Sequence, residues 1–507
     1  MPPRLSKSKL MAFRQCERRL WLELHRPALR QDDGASRAAF ASGHQVGELA
    51  RSLYDPDGAG IVLDPLSEGV DAALERSRTL LDGRLPVFEA GFAAGGALSF
   101  ADVLLPLDDD DVDGDGDGDG DGDGGWRMVE VKSSTSVKDY QRDDAAIQAY
   151  VARQAGVTLK SIAVAHIDSS WVYPGDGDYH GLLAEHDLTA SAFERGDEVA
   201  GWIARAQRVA ALPAEPATRP GAQCSQPYDC GFVGHCNSGA PQAEFPVSWL
   251  PRVVKRELKD CIAAGAADMR QVPDQLLNPT QQRVKQHTLS GQPFFDAAGA
   301  RDDLARHALP AWFIDFETIN LAVPVWPGTR PFQMIPFQFS VHRLDEHGVL
   351  DHRAFLDLSG NDPSRAFAAS LLDACDGAGP VFVYNAGFEM ARIAELAQRF
   401  LALAAPLMAL NARVVDLLPV ARNRYYHPIQ QGSWSIKKVL PAIAPDLCYD
   451  QLDGVQDGGG AMQAFLEATA PGIDLERKRE IERQLLDYCH LDTLAMVRLW
   501  RFLAGAR

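Results

Sequence analysis

Apolar and polar positions alternate with two different periods along this chain, and the changes of period mark its elements. From Leu5 to Leu24 the apolar residues Leu10, Phe13, Leu20 and Leu24 recur at helical spacing, with Ser6 or Ser8 placed to cap, which predicts an amphipathic helix. Cys16 falls on that stripe, where burial is its plainest reading. Gly43–Arg51 predicts a further helix with His44 near its start. Val87–Phe92 and Leu98–Leu105 alternate as strands do, carrying Glu89 and Asp102. Trp126–Lys132 predicts a strand with Glu130 and Lys132 on one face and Val129 and Val131 on the other, and a helix from about Asp143 carries Gln148 and Tyr150. Leu250, Val253, Val254 and Leu258 return to helical spacing within a stretch, Phe245 to about Leu304, whose basic residues suit either a nucleic-acid contact or a solvated spacer. Strands follow at Ala311–Thr318, Pro336–His342, Ala354–Leu358 and Val381–Tyr384, and a helix at Ile481–Leu499.

The length of 507 residues exceeds what one core organises, so two or three domains are expected. The N-terminal residues lack the apolar segment of a secretory signal, and the longest apolar stretch, near Phe400–Leu410, is too short to span a bilayer and contains Pro406. A cytoplasmic location and no membrane partner are expected. Eight cysteines in such a chain point to metal binding or burial rather than to a disulfide framework. The net charge of −19 argues against nucleic acid less than it first does, because ten aspartates lie in Asp108–Asp123. That Asp/Gly tract, taken as residues 108–125, predicts a disordered insertion between two strands.

Two constellations carry chemistry. Asp315 and Glu317 are two apart on an apolar strand and so share a face. Their mutual repulsion and desolvation call for a cation between them, and hard oxygen ligands suit Mg²⁺ or Mn²⁺. Glu389 follows the strand Val381–Tyr384, and Tyr488 and Asp492 are four apart on a late helix, hence on one face. This ordered set resembles the DEDDy exonucleases of the RNase H-like, DnaQ-like superfamily. The resemblance implies that Asp315, Glu317, Glu389 and Asp492 hold two Mg²⁺ or Mn²⁺ ions while Tyr488 orients the attacking water. The second motif departs from the family in offering Glu389 where Asp is usual, and Asp416 is a reserve candidate for that ligand. Lys437 and Lys438 are placed to meet phosphates of the scissile strand.

Asp102, Glu130 and Lys132 can converge across neighbouring strands, two carboxylates to hold a divalent ion and an ammonium to polarise water. With His44 before them and Gln148 to Tyr150 after, they resemble the ordered motifs of the PD-(D/E)XK nucleases, RecB-like branch. Phe100 departs from that pattern, since a basic residue often precedes the Ala-Asp pair. Cys224, Cys230 and Cys236 are evenly spaced and make four cysteines with Cys16, a donor set that suits a [4Fe–4S] cluster or a structural Zn²⁺. One cysteine before the nuclease motifs and three after resembles the iron–sulfur RecB-like nucleases, including those of CRISPR adaptation. That resemblance implies a [4Fe–4S] staple ahead of zinc.

The whole chain resembles a bacterial family of two-module predicted nucleases. The organisation expected is an α/β multidomain chain: a PD-(D/E)XK restriction-endonuclease-like module over residues 1–243, a helical connector over 244–305, and an RNase H-like exonuclease module over 306–507. The activity expected is metal-dependent phosphodiester hydrolysis, with DNA ahead of RNA as partner, 3′-to-5′ at the C-terminal site, in repair or defence. An RNA exonuclease, or a nucleic-acid-binding scaffold with an inactive first module, is the alternative.

Overall fold

A computed structural model describes residues 4–32, 34–107, 124–238 and 243–506, without the side chains of residues 34–39 and 41. The expected insertion at 108–123 lies outside the described residues. The chain is a mixed α/β protein of two units, one comprising Met1–Ala240 with Leu321–Gln333, the other Pro241–Asn320 with Met334–Arg507.

The first unit is built on seven strands: β1 (Leu5–Ser6), β2 (Ile61–Val62), β3 (Val87–Ala94), β4 (Ala97–Pro106), β5 (Trp126–Lys132), β6 (Leu159–Ile167) and β7 (Leu183–Asp187). They run in the order β2-β3-β4-β5-β6-β7, with β1 paired in parallel to the start of β4. The neighbours β3, β4 and β5 are antiparallel, whereas β5 and β6 are parallel. Alternation along the strands sorts their side chains. Val87, Ala90, Leu104, Met128 and Val164 face the helix Asp139–Gln154, which contributes Ala145, Ala146, Ala149 and Val151 to the same core. Phe88, Val103, Val129 and Ala165 form a smaller cluster on the other face. Glu130, one step from Met128 in the same alternation, therefore projects towards the helix.

The single helix expected over Leu5–Leu24 is two, Lys7–Gln15 and Glu17–His25, divided at Cys16, whose backbone is extended (φ −163, ψ 127). The break takes Cys16 off the buried stripe and leaves its side chain half-exposed. Gln15, next to it, donates through Nε2 to the carbonyl oxygens of Gln223 and Tyr228 at 2.8 and 2.7 Å, which ties this corner to the later cysteine loop. Residues 321–333 fold with this unit. Ala322 and Val323 pack with Val46, Ile167 and Leu182, and Tyr173 N donates to Thr329 O at 2.9 Å.

The second unit carries β8 (Phe294–Phe295), β9 (Ala311–Ile319), β10 (Ile335–Leu344), β11 (Leu350–Leu356), β12 (Val381–Val383), β13 (Val414–Asp416) and β14 (Tyr425–Tyr426). Five of these make a mixed sheet in the order β11-β10-β9-β12-β13. Within it, β9 is antiparallel to β10 and parallel to β12. Strands β8 and β14 form a separate two-stranded ribbon. One face buries Trp312, Ile314, Phe339 and Val341 against the helices Ser364–Ala374 and Gly387–Arg399. The other face carries Phe313 and Phe382, stacked at 5.2 Å, beneath Trp500 of the thirty-residue C-terminal helix Leu475–Ala504. Phe313 at that position fixes where Asp315 and Glu317 point, because residues two apart on a strand share a face.

Residues 244–305 fold into the second unit. Leu250, Leu258, Met269, Val284 and Leu304 join the core that holds Phe313 and Trp500. The stretch contains the helices Arg256–Ala263, Pro279–Ser290 and Ala297–Leu304. Several of its basic residues are engaged within the unit. Arg270 pairs with Asp268 at 2.8 Å, Lys285 with Asp274 at 2.7 Å, and Arg283 donates to the carbonyls of Arg422 and Asn423. Among the described residues no helix is long and apolar enough to cross a membrane.

Candidate active sites

In the second unit β9 delivers Asp315 and Glu317 beneath the C-terminal helix. Asp315 is in register with Ser340 on β10, and a register shift between Pro336 and Gln338 brings Gln338 opposite Glu317. The helix is pinned across this edge by two buried bonds. Gln338 Nε2 donates to Leu485 O at 2.7 Å, and Ser340 Oγ and Thr493 Oγ1 are 2.7 Å apart. That seat turns Tyr488 and Asp492, four apart on one helical face, inward; both are buried. One carboxylate oxygen from each of Asp315, Glu317 and Asp492 lies within 4.8 Å of the others.

Glu389 comes from the first turn of the helix Gly387–Arg399, just past β12. It is only 3% exposed, and its Oε2 has no hydrogen-bond partner. A buried carboxylate oxygen left bare is costly, and its neighbourhood explains what it waits for. Asp416, the reserve candidate, is otherwise engaged. Its Oδ1 caps the helix Leu417–Arg424 through Leu418 N at 2.9 Å and accepts from Asn385 N at 3.0 Å. Glu389 is thus the carboxylate available to complete a four-acid set.

The acids disturb one another as a group lacking its counter-charge would. Burial, then the charges of Asp492, Glu317 and Glu389, holds the Asp315 carboxyl far above the usual range. Burial and the Asp492 charge push Glu317 up to about 8, and burial with the Asp416 charge pushes Glu389 up to about 7. Burial raises Asp492 to about 6, against the bond it accepts from Tyr449. Tyr449 Oη donates to Asp492 Oδ1 at 2.5 Å. Tyr488 is raised well above an ordinary phenol by burial and by Asp492, so it stays protonated and serves as a donor rather than a base. Lys437 Nζ donates to Tyr488 Oη at 3.3 Å, lies 5.1 and 4.9 Å from the ring centroids of Tyr449 and Tyr488, and is also anchored on Gln456 O. Lys438 is exposed. Four oxygen donors with raised proton affinity and one bare oxygen are a donor set that fits hard divalent cations.

Beside these elements is a cavity of about 830 Å³ lined by Arg252, Asn278, Tyr384, Asn385, Arg422 and Ser435 among others. Tyr384 and Asn385 precede the Glu389 helix, and Ser435 precedes Lys437, so the cavity and the acids share their supporting segments.

In the first unit Asp102, Glu130, Lys132 and Gln148 come together as the sequence suggested, and two further residues join them. Lys7 Nζ lies 2.6 Å from Glu130 Oε1, and Lys132 Nζ lies 2.5 Å from the same oxygen and 2.8 Å from Asp144 Oδ2. Gln148 Nε2 donates to Glu130 Oε2 at 2.6 Å, and Val131 N to Asp102 Oδ2 at 2.7 Å. Against burial, Lys132 and Lys7 hold the Glu130 carboxyl well below the usual range, whereas burial and the Glu130 charge push Asp102 up to about 7. His44 stands apart from this cluster. It lies well inside the helix Gly34–Tyr54 rather than at its start, is exposed, and pairs with Glu48 one turn on at 3.3 Å. Asp102 remains the residue that could take a cation here.

The four cysteines Cys16, Cys224, Cys230 and Cys236 are free and bear on one another electrostatically. Burial raises the thiols of Cys230 and Cys236, and the neighbouring cysteines add to the rise. Cys230 N donates to Cys224 O at 2.8 Å, closing the loop that carries two of them. Four thiols are a donor set whose chemistry suits a thiophilic metal or cluster. Cys261, Cys375, Cys448 and Cys489 are also free; Cys375 and Cys489 are buried.

Sequence reasoning did not find Lys7, Asp144 or Tyr449. Asp144 had a readable signal, standing four before Gln148 on the same helix. Lys7 reaches Glu130 only because β1 pairs with β4, and Tyr449 lies in a short turn without periodicity.

A family described as a domain of unknown function (DUF2779) has a model that matches residues 312–435. That stretch contains Asp315, Glu317, Glu389 and Asp416 and ends before Tyr488 and Asp492. No curated protein matches the chain.

Proposed function

We propose that this chain is a Mg²⁺- or Mn²⁺-dependent nuclease of two modules, the second of which removes nucleotides from 3′ ends, with DNA ahead of RNA as substrate. In this reading the second unit is an RNase H-like, DnaQ-like exonuclease of the DEDDy kind. The first is a RecB-like PD-(D/E)XK module stapled by a [4Fe–4S] cluster at Cys16, Cys224, Cys230 and Cys236, with Zn²⁺ the alternative. The observation that carries the proposal is the convergence of Asp315, Glu317 and Asp492 within 4.8 Å, with the buried Glu389 bearing on Asp315 electrostatically and carrying a bare oxygen.

Divalent ions held there supply Lewis-acid chemistry for phosphodiester hydrolysis. The chain's own groups do the rest. Tyr488, kept protonated, orients a water by donating to it, and Lys437 beside it offsets negative charge on the phosphate. Arg252 and Arg422 in the adjoining cavity offer positive charge to the strand behind the terminal nucleotide.

One observation favours a second reading for the first unit. Two lysines already neutralise Glu130, which suits a module that holds nucleic acid more than one that cuts it. End-labelled single strands, as DNA and as RNA, incubated with Mn²⁺ separate these readings. The wild type releases mononucleotides from the 3′ end, and Asp315→Asn falls to background. Undiminished cleavage by Asp315→Asn would move the activity to the first unit, and binding without turnover by the wild type would leave a scaffold.

A further inference from the structure

Three imidazoles converge in the second unit outside the acid set. His342 on β10 is in register with His352 on β11, and His490 reaches them from the C-terminal helix. Their ring centroids are 4.5 to 4.8 Å apart, and one nitrogen of each lies within 4.8 Å of the others. His342 is 2% exposed, His490 is half-buried and His352 opens to solvent. Neither the nuclease reading nor the cysteine set makes use of them.

We propose that His342, His352 and His490 bind a borderline transition-metal ion, Zn²⁺ foremost, that clamps the C-terminal helix to the β10–β11 hairpin. The donor chemistry selects the ion. An all-imidazole set suits Zn²⁺ and its late transition-metal neighbours, whereas Mg²⁺ and Mn²⁺ prefer the oxygens of the acid cluster. Tetrahedral Zn²⁺ with nitrogens at about 2.0–2.1 Å sets those nitrogens roughly 3.4 Å apart, so small side-chain rotations close the present arrangement.

The outer partners are those of a metal site. Thr493 Oγ1 is 2.8 Å from His342 Nδ1, and Ser340 Oγ is 2.9 Å from His352 Nε2, contacts that orient both rings. His352 is exposed, so water can reach an ion held there to complete its sphere. The clamp has a consequence for the acids. Ser340 is the register partner of Asp315 and Thr493 follows Asp492, so an ion here fixes the hydroxyl pair that sets the helix over the sheet. The proposal stands whether or not the acids cut nucleic acid.

Chelator-stripped full-length protein, with excess Mg²⁺ to occupy oxygen sites, is titrated with Zn²⁺ by calorimetry and with Co²⁺ by visible absorption. Wild type and His352→Ala are compared, so that any metal bound by the thiols cancels. His352 is exposed, and each variant's own metal-free unfolding temperature is the baseline from which its Zn²⁺-dependent rise is read. The expected result is the loss of one metal equivalent in His352→Ala, together with loss of the Zn²⁺-dependent rise of a few degrees in unfolding temperature. His490→Gln repeats the loss from the helix side. Equal stoichiometry and an equal rise in wild type and both variants would overturn the site.

Discussion

Replacing Glu389 by glutamine should make the metal-free protein more stable at alkaline pH, a gain that only a carboxylate short of a cation produces. In the folded state burial and Asp416 raise Glu389 from 4.5 to about 7. Between those values the folded protein binds more protons than the unfolded chain, so stability falls as pH rises. The group's contribution is complete below about pH 4.5 and is lost through about pH 7. Each pKa unit is worth about 1.4 kcal/mol, so the charged form costs on the order of 3 kcal/mol at about pH 8.5. A glutamine side chain has the same shape without the charge.

Urea unfolding in chelator therefore gives a Glu389→Gln variant more stable than wild type by about 3 kcal/mol at about pH 8.5, and nearly equal to it at about pH 4.5. Mn²⁺ then reverses the order at high pH, because it stabilises the wild type by mass action and finds one ligand fewer in the variant. A variant no more stable than wild type in chelator at high pH would refute the claim that this carboxylate sits uncompensated. Equal stabilisation of both by Mn²⁺ would refute its place among the ligands.

Tyr488→Phe keeps the ring and removes the donor. Single-turnover rates on a labelled strand should fall on the order of 10²-fold with little change in substrate affinity, and an unchanged rate would remove Tyr488 from the chemistry. Lys7→Ala strips one of the two cations from buried Glu130 and Asp144, and denaturation should register a loss of about 3–5 kcal/mol in the first unit. No loss would mean that Lys132 suffices. Cys16→Ser should abolish the bound metal or cluster, read by metal analysis and visible absorption of freshly purified protein, and full retention would exclude Cys16 as a ligand.

Much of the second site was legible because it obeys short-range geometry. Asp315 and Glu317 share a face by strand period and Tyr488 and Asp492 by helical period, and neither relation needs tertiary information. The parts that stayed hidden depend on pairings between distant segments. Lys7 meets Glu130 through a two-residue parallel pairing of β1 with β4, too short to leave a periodic trace. His342 and His352 become neighbours only through the β10–β11 register, and His490 only through the crossing of the helix. His44 shows the opposite failure. A motif order made it a candidate, but its place deep in a long helix turns it to solvent beside Glu48. Helical spacing puts Cys16 on a buried stripe only if the helix is unbroken, and the extended backbone there takes its side chain off that stripe.

The two acid clusters differ in how they are charge-balanced, and that difference assigns their work. In the first unit Glu130 has an ammonium from Lys7, another from Lys132 and an amide from Gln148, so both its oxygens are engaged by the chain itself. Removing a partner there destabilises, and adding a cation requires displacing one. In the second unit Lys437 is the ammonium that opposes the rise of Glu317 and Asp492, and it is shared between the rings of Tyr449 and Tyr488. Asp315 and Glu317, raised by burial and by the charge of Asp492, hold protons at neutral pH until a stronger charge arrives. A divalent ion at the second site would therefore displace protons from several carboxyls, so its affinity would rise steeply with pH, whereas at the first site the one proton to displace is that of Asp102 and the dependence would be weaker. Proton release measured on adding Mn²⁺ in weak buffer should come from the second unit and vanish stepwise with Asp315→Asn and Glu389→Gln. Release that persists in both variants would place the metal at Asp102 and return the cutting role to the first unit.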